Sequence, residues 1–213
     1  MKIKKIMAVL VLAAGITTSI YADAKDEAME SIESAKEMIT AQDYAKAIEE
    51  LNFAITKLNE MQSSKLLKYL PKELAGYKIS GDGAKTVSNA LLGANTTIAT
   101  VEFEAPSQIK IEGSDGEYES STITVNITVG GILGQAAAMA NMYSVSDNKT
   151  TAVRIKGYKG NINFQKENSS GTLMLQIGEK ITVTVEGSSI LSGDILKAAV
   201  EKMDLKALEK EFN

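Results

Sequence analysis

The chain contains no cysteine, no histidine and no tryptophan. Without cysteine there is no disulfide, no thiolate nucleophile, no iron–sulfur cluster and no lipid-modified N-terminal cysteine. Without histidine the Ser-His-Asp and Cys-His catalytic arrangements are excluded, and soft zinc sites go with them. Proline occurs only 2 times in 213 residues, while hydrophobic residues make up 44%, a composition that folds rather than staying disordered. Arg154 is the single arginine. Setting aside Lys2, Lys4 and Lys5 of the first segment, the 23 basic residues fall to 20 against 27 acids, a net charge of −7. Such a chain is a poor neutraliser of phosphate backbones, so nucleic acid is not an expected partner.

Charge is also missing locally. The 27 residues from Ser120 to Ser146 hold no Asp, Glu, Lys or Arg, although charged residues are 23% of the chain. Ile123, Val125, Ile127 and Val129 alternate there with Thr122, Thr124, Asn126 and Thr128, the period of a strand with one buried face. Gly130-Gly131 breaks the period. The stretch from Ile132 to Tyr143 then reads as a helix of small and flexible apolar residues. Its candidate contact residues are Ile132, Ala138, Met139, Met142 and Tyr143, because methionine offers adaptable contact area and Met139 and Met142 share one helical face.

Residues 1–22 have the form of a signal peptide: Lys2, Lys4 and Lys5, an apolar run from Ile6 to Ile16, then small residues. The run is shorter than the ~20 residues of a comfortable membrane span. Cleavage is expected after Ala22 or after Ala24, the latter using Ala22-Asp23-Ala24 as its A-x-A site. The expected location is periplasmic or secreted, with no stable membrane span after cleavage.

Residues 23–70 read as a helical hairpin. Ala28, Ile32, Ala35 and Ile39 recur at helical spacing in the first helix. Beyond Ala41-Gln42-Asp43, a stripe of Tyr44, Ala47, Ile48, Leu51, Ala54, Ile55, Leu58 and Met61 marks the second. Asp43 suits the N-cap, where its carboxylate accepts orphan backbone N–H groups. Ala35, Asp43-Tyr44, Ala47 and Ala54 resemble the second half of a tetratricopeptide unit, with Gln42 where such units usually carry a turn glycine. One unit cannot bury its own face, so the hairpin is expected to pack on the following domain or on a twin chain.

Residues 71–213 read as an α+β domain, an antiparallel sheet with two main helices packed on one face. A Gly-rich patch (Gly76, Gly81, Gly83) and an apolar segment from Val87 to Leu92 come first. Strand candidates follow at Ala99–Phe103, Ile109–Ile111, Ile123–Val129, Val153–Ile155, Ile162–Phe164, Leu173–Ile177 and Ile181–Val185. A helix capped by Ser192 or Asp194 closes the chain, restarting at Asp204. This order loosely resembles PsbP/Mog1-like exported bacterial domains, a likeness at the level of fold that implies no activity.

Three constellations invite chemistry. Gly130, Gly131 and Gly134 sit where strand meets helix, but depart from the dinucleotide fingerprint and suit a sharp turn. Glu112, Asp115, Glu117 and Glu119 lack the ligand ladder of a dedicated calcium loop. Arg154, Lys156, Tyr158 and Lys159 form a basic-aromatic cluster suited to a strand edge. No cofactor, metal or catalytic residue is therefore expected. The expected function is a non-catalytic binding or scaffold role in the bacterial envelope, through another envelope protein or self-association. The alternatives are a small-ligand carrier with an apolar pocket near Met139, Met142 and Tyr143, or a hydrolase using carboxylates or lysine. N-terminal sequencing of the exported protein should find Asp23 or Lys25 first; an intact Met1 in the soluble envelope fraction overturns the export assignment.

Overall fold

Strands that are apolar on one side only must stack that side on something, and the simplest arrangement is one sheet with helices over its inner face. The structure, a computed structural model, describes residues 7–89, 94–110, 118–130 and 150–213, and the side chains of 23–84, 96–106, 120–130 and 150–213. The chain divides into two units, residues 1–62 and 63–213.

The first unit is a helical pair, α1 (Met7–Thr40) and α2 (Tyr44–Leu66), the last turn of α2 running on into the second unit. Between the helices Gln42 takes φ 61, the left-handed conformation that favours glycine. The Asp43 carboxylate accepts the Lys46 backbone N–H at 3.4 Å, so Asp43 caps α2 as its position in the sequence suggests.

In the second unit a 3₁₀ turn, Leu67–Tyr69, brings Leu70 and Leu74 with Leu66 into the core. Seven strands follow: β1 (Lys78–Asn89), β2 (Ala94–Lys110), β3 (Tyr118–Val129), β4 (Thr150–Ile155), β5 (Tyr158–Gln165), β6 (Ser170–Ile177) and β7 (Ile181–Ser188). They form one antiparallel sheet in the order β1-β2-β3-β7-β6-β5-β4. Helices α3 (Asp194–Glu201) and α4 (Leu205–Phe212) complete the chain. The fold is α+β, with an N-terminal helical pair, an antiparallel sheet and two C-terminal helices.

Two sequence expectations change. Lys78–Asn89 is a full strand, not a patch with a short apolar segment; as an edge strand it is held by backbone pairing with β2 and has little need of apolar alternation. The candidate at 99–103 and the described part of the next, 109–110, are one strand, β2, whose register with β3 shifts between Glu104 and Gln108. Pro106 lies inside that shift, where a missing N–H breaks no ladder bond.

Register sorts the side chains. Val101, Val125, Val185, Leu173 and Ile162 line up across five strands on the inner face, and Ala99, Ile127, Val183 and Leu175 make the next row. All are buried. A third row reads Phe103, Ile123, Gly187, Gly171 and Phe164, with two cross-strand glycines in its middle. That gap seats Leu196 of α3: a Cβ at Gly171 would stand 3.2 Å from Leu196 Cδ1, and one at Gly187 would stand 3.0 Å from Cδ2. Ser192 Oγ accepts the Asp194 N–H at 3.1 Å at the start of α3, and the Asp204 carboxylate accepts the Ala207 N–H at 3.1 Å at the start of α4.

A Cβ at Gly160 would land on the backbone carbonyl of Met174, whereas the nearest atom to one at Gly187 is the movable Cδ1 of Ile190 at 2.7 Å. Gly160→Ala should therefore cost about 1–3 kcal/mol and Gly187→Ala less, since a side-chain tip yields where backbone does not. Urea denaturation of the two variants checks the order; a smaller loss at Gly160 contradicts it.

Candidate interaction surface

Helices joined by a three-residue turn run antiparallel, and what lines their seam sets how close they come. Here the seam is alanine. In α1, Ala24, Ala28, Ser31 and Ala35 repeat at four-three-four spacing; in α2, Ala47 and Ala54 lie two turns apart. All six are buried, Ala28 and Ala35 to 1% exposure. Across the helices Lys57 Nζ meets Glu27 Oε2 at 2.7 Å, which fixes the register, and the same ammonium stands 5.3 Å from the centre of the Phe53 ring. The hydrogen bond to Glu27 is the main cause raising the Lys57 pKa above its ordinary value.

The large apolar side chains lie elsewhere. In α2, Tyr44, Ile48, Leu51, Ile55 and Leu58 follow an unbroken four-three repeat, the spacing of a coiled-coil seam, and every one is exposed, Tyr44 to 60% and Ile48 to 59%. In α1 the matching repeat is Lys25, Met29, Ile32, Lys36 and Ile39, with all three apolar members exposed. An antiparallel pair has a two-fold axis normal to the plane of its helices. Residues turned the same way from the seam on each helix therefore emerge on one side. Glu27 and Lys57 meet on one side in this way; the two exposed repeats share the other. None of the ten carboxylates from Asp23 to Glu60 occupies either repeat, and Lys36 is tied to Glu33 at 2.7 Å. The result is an apolar face two helices wide, floored by alanine and free of acids.

In the second unit a set of polar groups holds the C-terminal helix. Tyr158 donates its hydroxyl to Glu209 at 2.6 Å, Tyr69 donates to Glu211, and Lys65 Nζ lies 3.5 Å from Glu211. The Tyr69 and Phe212 rings meet edge to face at 6.0 Å. Lys156 donates to the Met203 carbonyl at 2.6 Å from a β4–β5 turn in which Lys156 and Gly157 both take positive φ. Lys156 and Tyr158 of the basic-aromatic cluster thus belong to a structural clasp near the β4 edge, while Arg154 and Lys159 are exposed. On the outer face of the sheet, a shallow depression of about 490 Å³ is lined by Asn161, Asn163, Thr172, Thr184 and Glu186, among others. It offers amides and hydroxyls with one carboxylate, a hydrogen-bonding surface without a nucleophile–base pair.

Ile132, Ala138, Met139, Met142 and Tyr143 lie outside the described residues, as do Gly131, Gly134, Glu112, Asp115 and Glu117. Glu119 is in β3 and Gly130 follows it, its φ of 81 and its N–H bond to the Lys180 carbonyl at 3.0 Å marking a turn. Among the described residues no cluster of three Asp or Glu could hold a metal ion, and no helix is long and apolar enough to cross a membrane. The exposed repeats were not separated by sequence from the alanine seam. Both fall within one wide stripe; the large residues keep a strict four-three spacing within it, but which of the two sets the hairpin buries is decided by packing. No protein-family model, no curated protein and no solved structure matches the chain.

The acceptor carboxylates push Tyr69 and Tyr158 up to about 12, while the Tyr69 hydrogen bond lowers Glu211. For the phenols the folded pKa exceeds the unfolded one of about 10. Their contribution is therefore complete below pH ~10 and lost as pH rises towards 12. For Glu211 the contribution is present above its unfolded pKa and lost as pH falls through the lowered folded value. A phenolate absorbance titration should show Tyr158→Phe and Tyr69→Phe each removing one group from the fraction that ionises near pH 12. Loss of ordinary-range absorbance instead would contradict the clasp.

Proposed function

We propose that the protein is an exported, non-catalytic binding or scaffold protein of the bacterial envelope that works through protein contacts. The observation that carries this reading is the helical pair: it places alanine in its own seam and leaves eight large apolar side chains of one face to water. Burying a methyl group contributes about 0.8 kcal/mol, a large aliphatic side chain roughly 1.5–3 kcal/mol. Most of the apolar stabilisation available to these helices therefore comes only when another surface covers the face, and exposed patches of this kind mark interaction sites. The chain's lack of histidine and cysteine supports a binding role over nucleophilic catalysis.

The reading is tested in the intact envelope. A photo-crosslinking residue at Ile48 should join the chain to protein on irradiation, while the same residue at Thr172 on the outer sheet face should not. Equal capture at both positions, or none at Ile48, removes its support.

A further inference from the structure

We infer that the apolar face of α1 and α2 is the docking site for a second copy of this chain, two helical pairs meeting face to face as a symmetric four-helix bundle. The inference rests on the binding-protein reading and names its partner.

Area is the first ground. Met29, Ile32, Ile39, Tyr44, Ile48, Leu51, Ile55 and Leu58 are exposed by between 38% and 60%. At roughly 100 Å² each, two copies in contact remove on the order of 1,600 Å² from water, the size of a specific, stable interface. Spacing is the second. A four-three repeat on both helices is the pattern that packs knobs into holes at shallow crossing angles, and helices of another helical pair are the surface it fits. The floor between the repeats is alanine, which leaves a groove where the ridges of the facing copy can lie.

Charge is the third. From Asp23 to Glu60 there are ten carboxylates against four lysines, so a second copy would be repelled if acids were spread evenly. They are not: both repeats are free of them, and the carboxylates point to the sides that remain in water. The repeats' own charges are Lys25 and Lys36. Lysines at such positions lay their methylene stems along the interface and keep the ammonium in solvent, and they help to select register and oligomer state. A strongly basic partner is disfavoured for the same reason, because the face that would receive it carries lysines and no acid. Closed two-fold symmetry also exhausts the face, leaving no repeat open for further growth.

Sedimentation of the purified protein should show a dimer that dissociates on dilution. The double variant Ile48→Glu/Ile55→Glu should weaken dimerisation by about 100-fold or more, since each carboxylate would be desolvated without a partner. Both sites are exposed within one chain, so circular dichroism should show unchanged helix content. Phe53→Glu, an equally exposed apolar site on the opposite side, should leave the dimer intact. A wild-type monomer overturns the inference, as does a dimer that persists in the double variant or is lost in Phe53→Glu. A monomer that binds anionic phospholipid vesicles through Ile48 and Ile55 assigns the face to a lipid surface instead. A monomer whose Ile48 crosslinks to a different envelope protein overturns self-association while leaving the binding role standing.

Discussion

One-sided burial of the sheet is the constraint on which the second unit depends. Each strand from β2 to β7 sends alternate residues inwards, and the antiparallel register aligns them into rows of Val, Ile and Leu. The outer partners of those rows are Thr, Asn, Gln and Glu with Ile98 and Met174 among them, joined in places by their own bonds, such as Thr100 to Asn126 at 2.7 Å and Thr182 to Gln176 at 3.2 Å. An apolar face of this width needs cover along its length. Two eight-residue helices provide part of it, and they fit because Gly171 and Gly187 vacate the volume that Leu196 takes. The tyrosine–glutamate bonds then hold α4, whose small apolar stripe of Leu205 and Leu208 would be a weak anchor alone.

The helical pair solves a different problem. Its seam is made of residues too small to contribute much, and its large residues face outwards. Close axial approach comes at the expense of buried area. The compensation is geometric, because alanine floors bring two exposed ridges near enough to act as one surface. The ion pair of Lys57 with Glu27 sets which residues of the ridges stand opposite each other.

Much of this was legible in the sequence, for physical reasons that differ by element. β3, β6 and β7 bury one face over residues 121–129, 173–177 and 181–187, so the alternation there is unbroken and strand assignment follows. Asp43 and Asp204 are legible because capping chemistry is local. β1 was not, since an edge strand with Gly81 and Gly83 is held by backbone bonds that leave no side-chain period. The joining of two candidates into β2 was hidden by Pro106, which reads as a terminator but sits in a register shift. The stripe on α2 was read correctly as apolar and incompletely as a surface. Helical period says which residues share a side, and only packing separates Ala47 and Ala54 from Ile48 and Ile55.

The strand order has a kinetic consequence. The sheet is two meanders, β1-β2-β3 and β4-β5-β6-β7, each built from neighbours in sequence and joined by the single pairing of β3 with β7. The residues paired there, Thr122 to Val129 with Ile181 to Ser188, are more than fifty positions apart, so their contact closes the longest loop in the sheet. Local hairpins form fast and such a closure slowly. Until it happens, β3 presents an open edge of alternating β-branched residues, the kind of template that captures other chains. The first meander is complete long before β7 has been synthesised. Whatever lengthens the delay between the arrival of the two halves, in synthesis or in passage through a pore, lengthens the time that edge stays open.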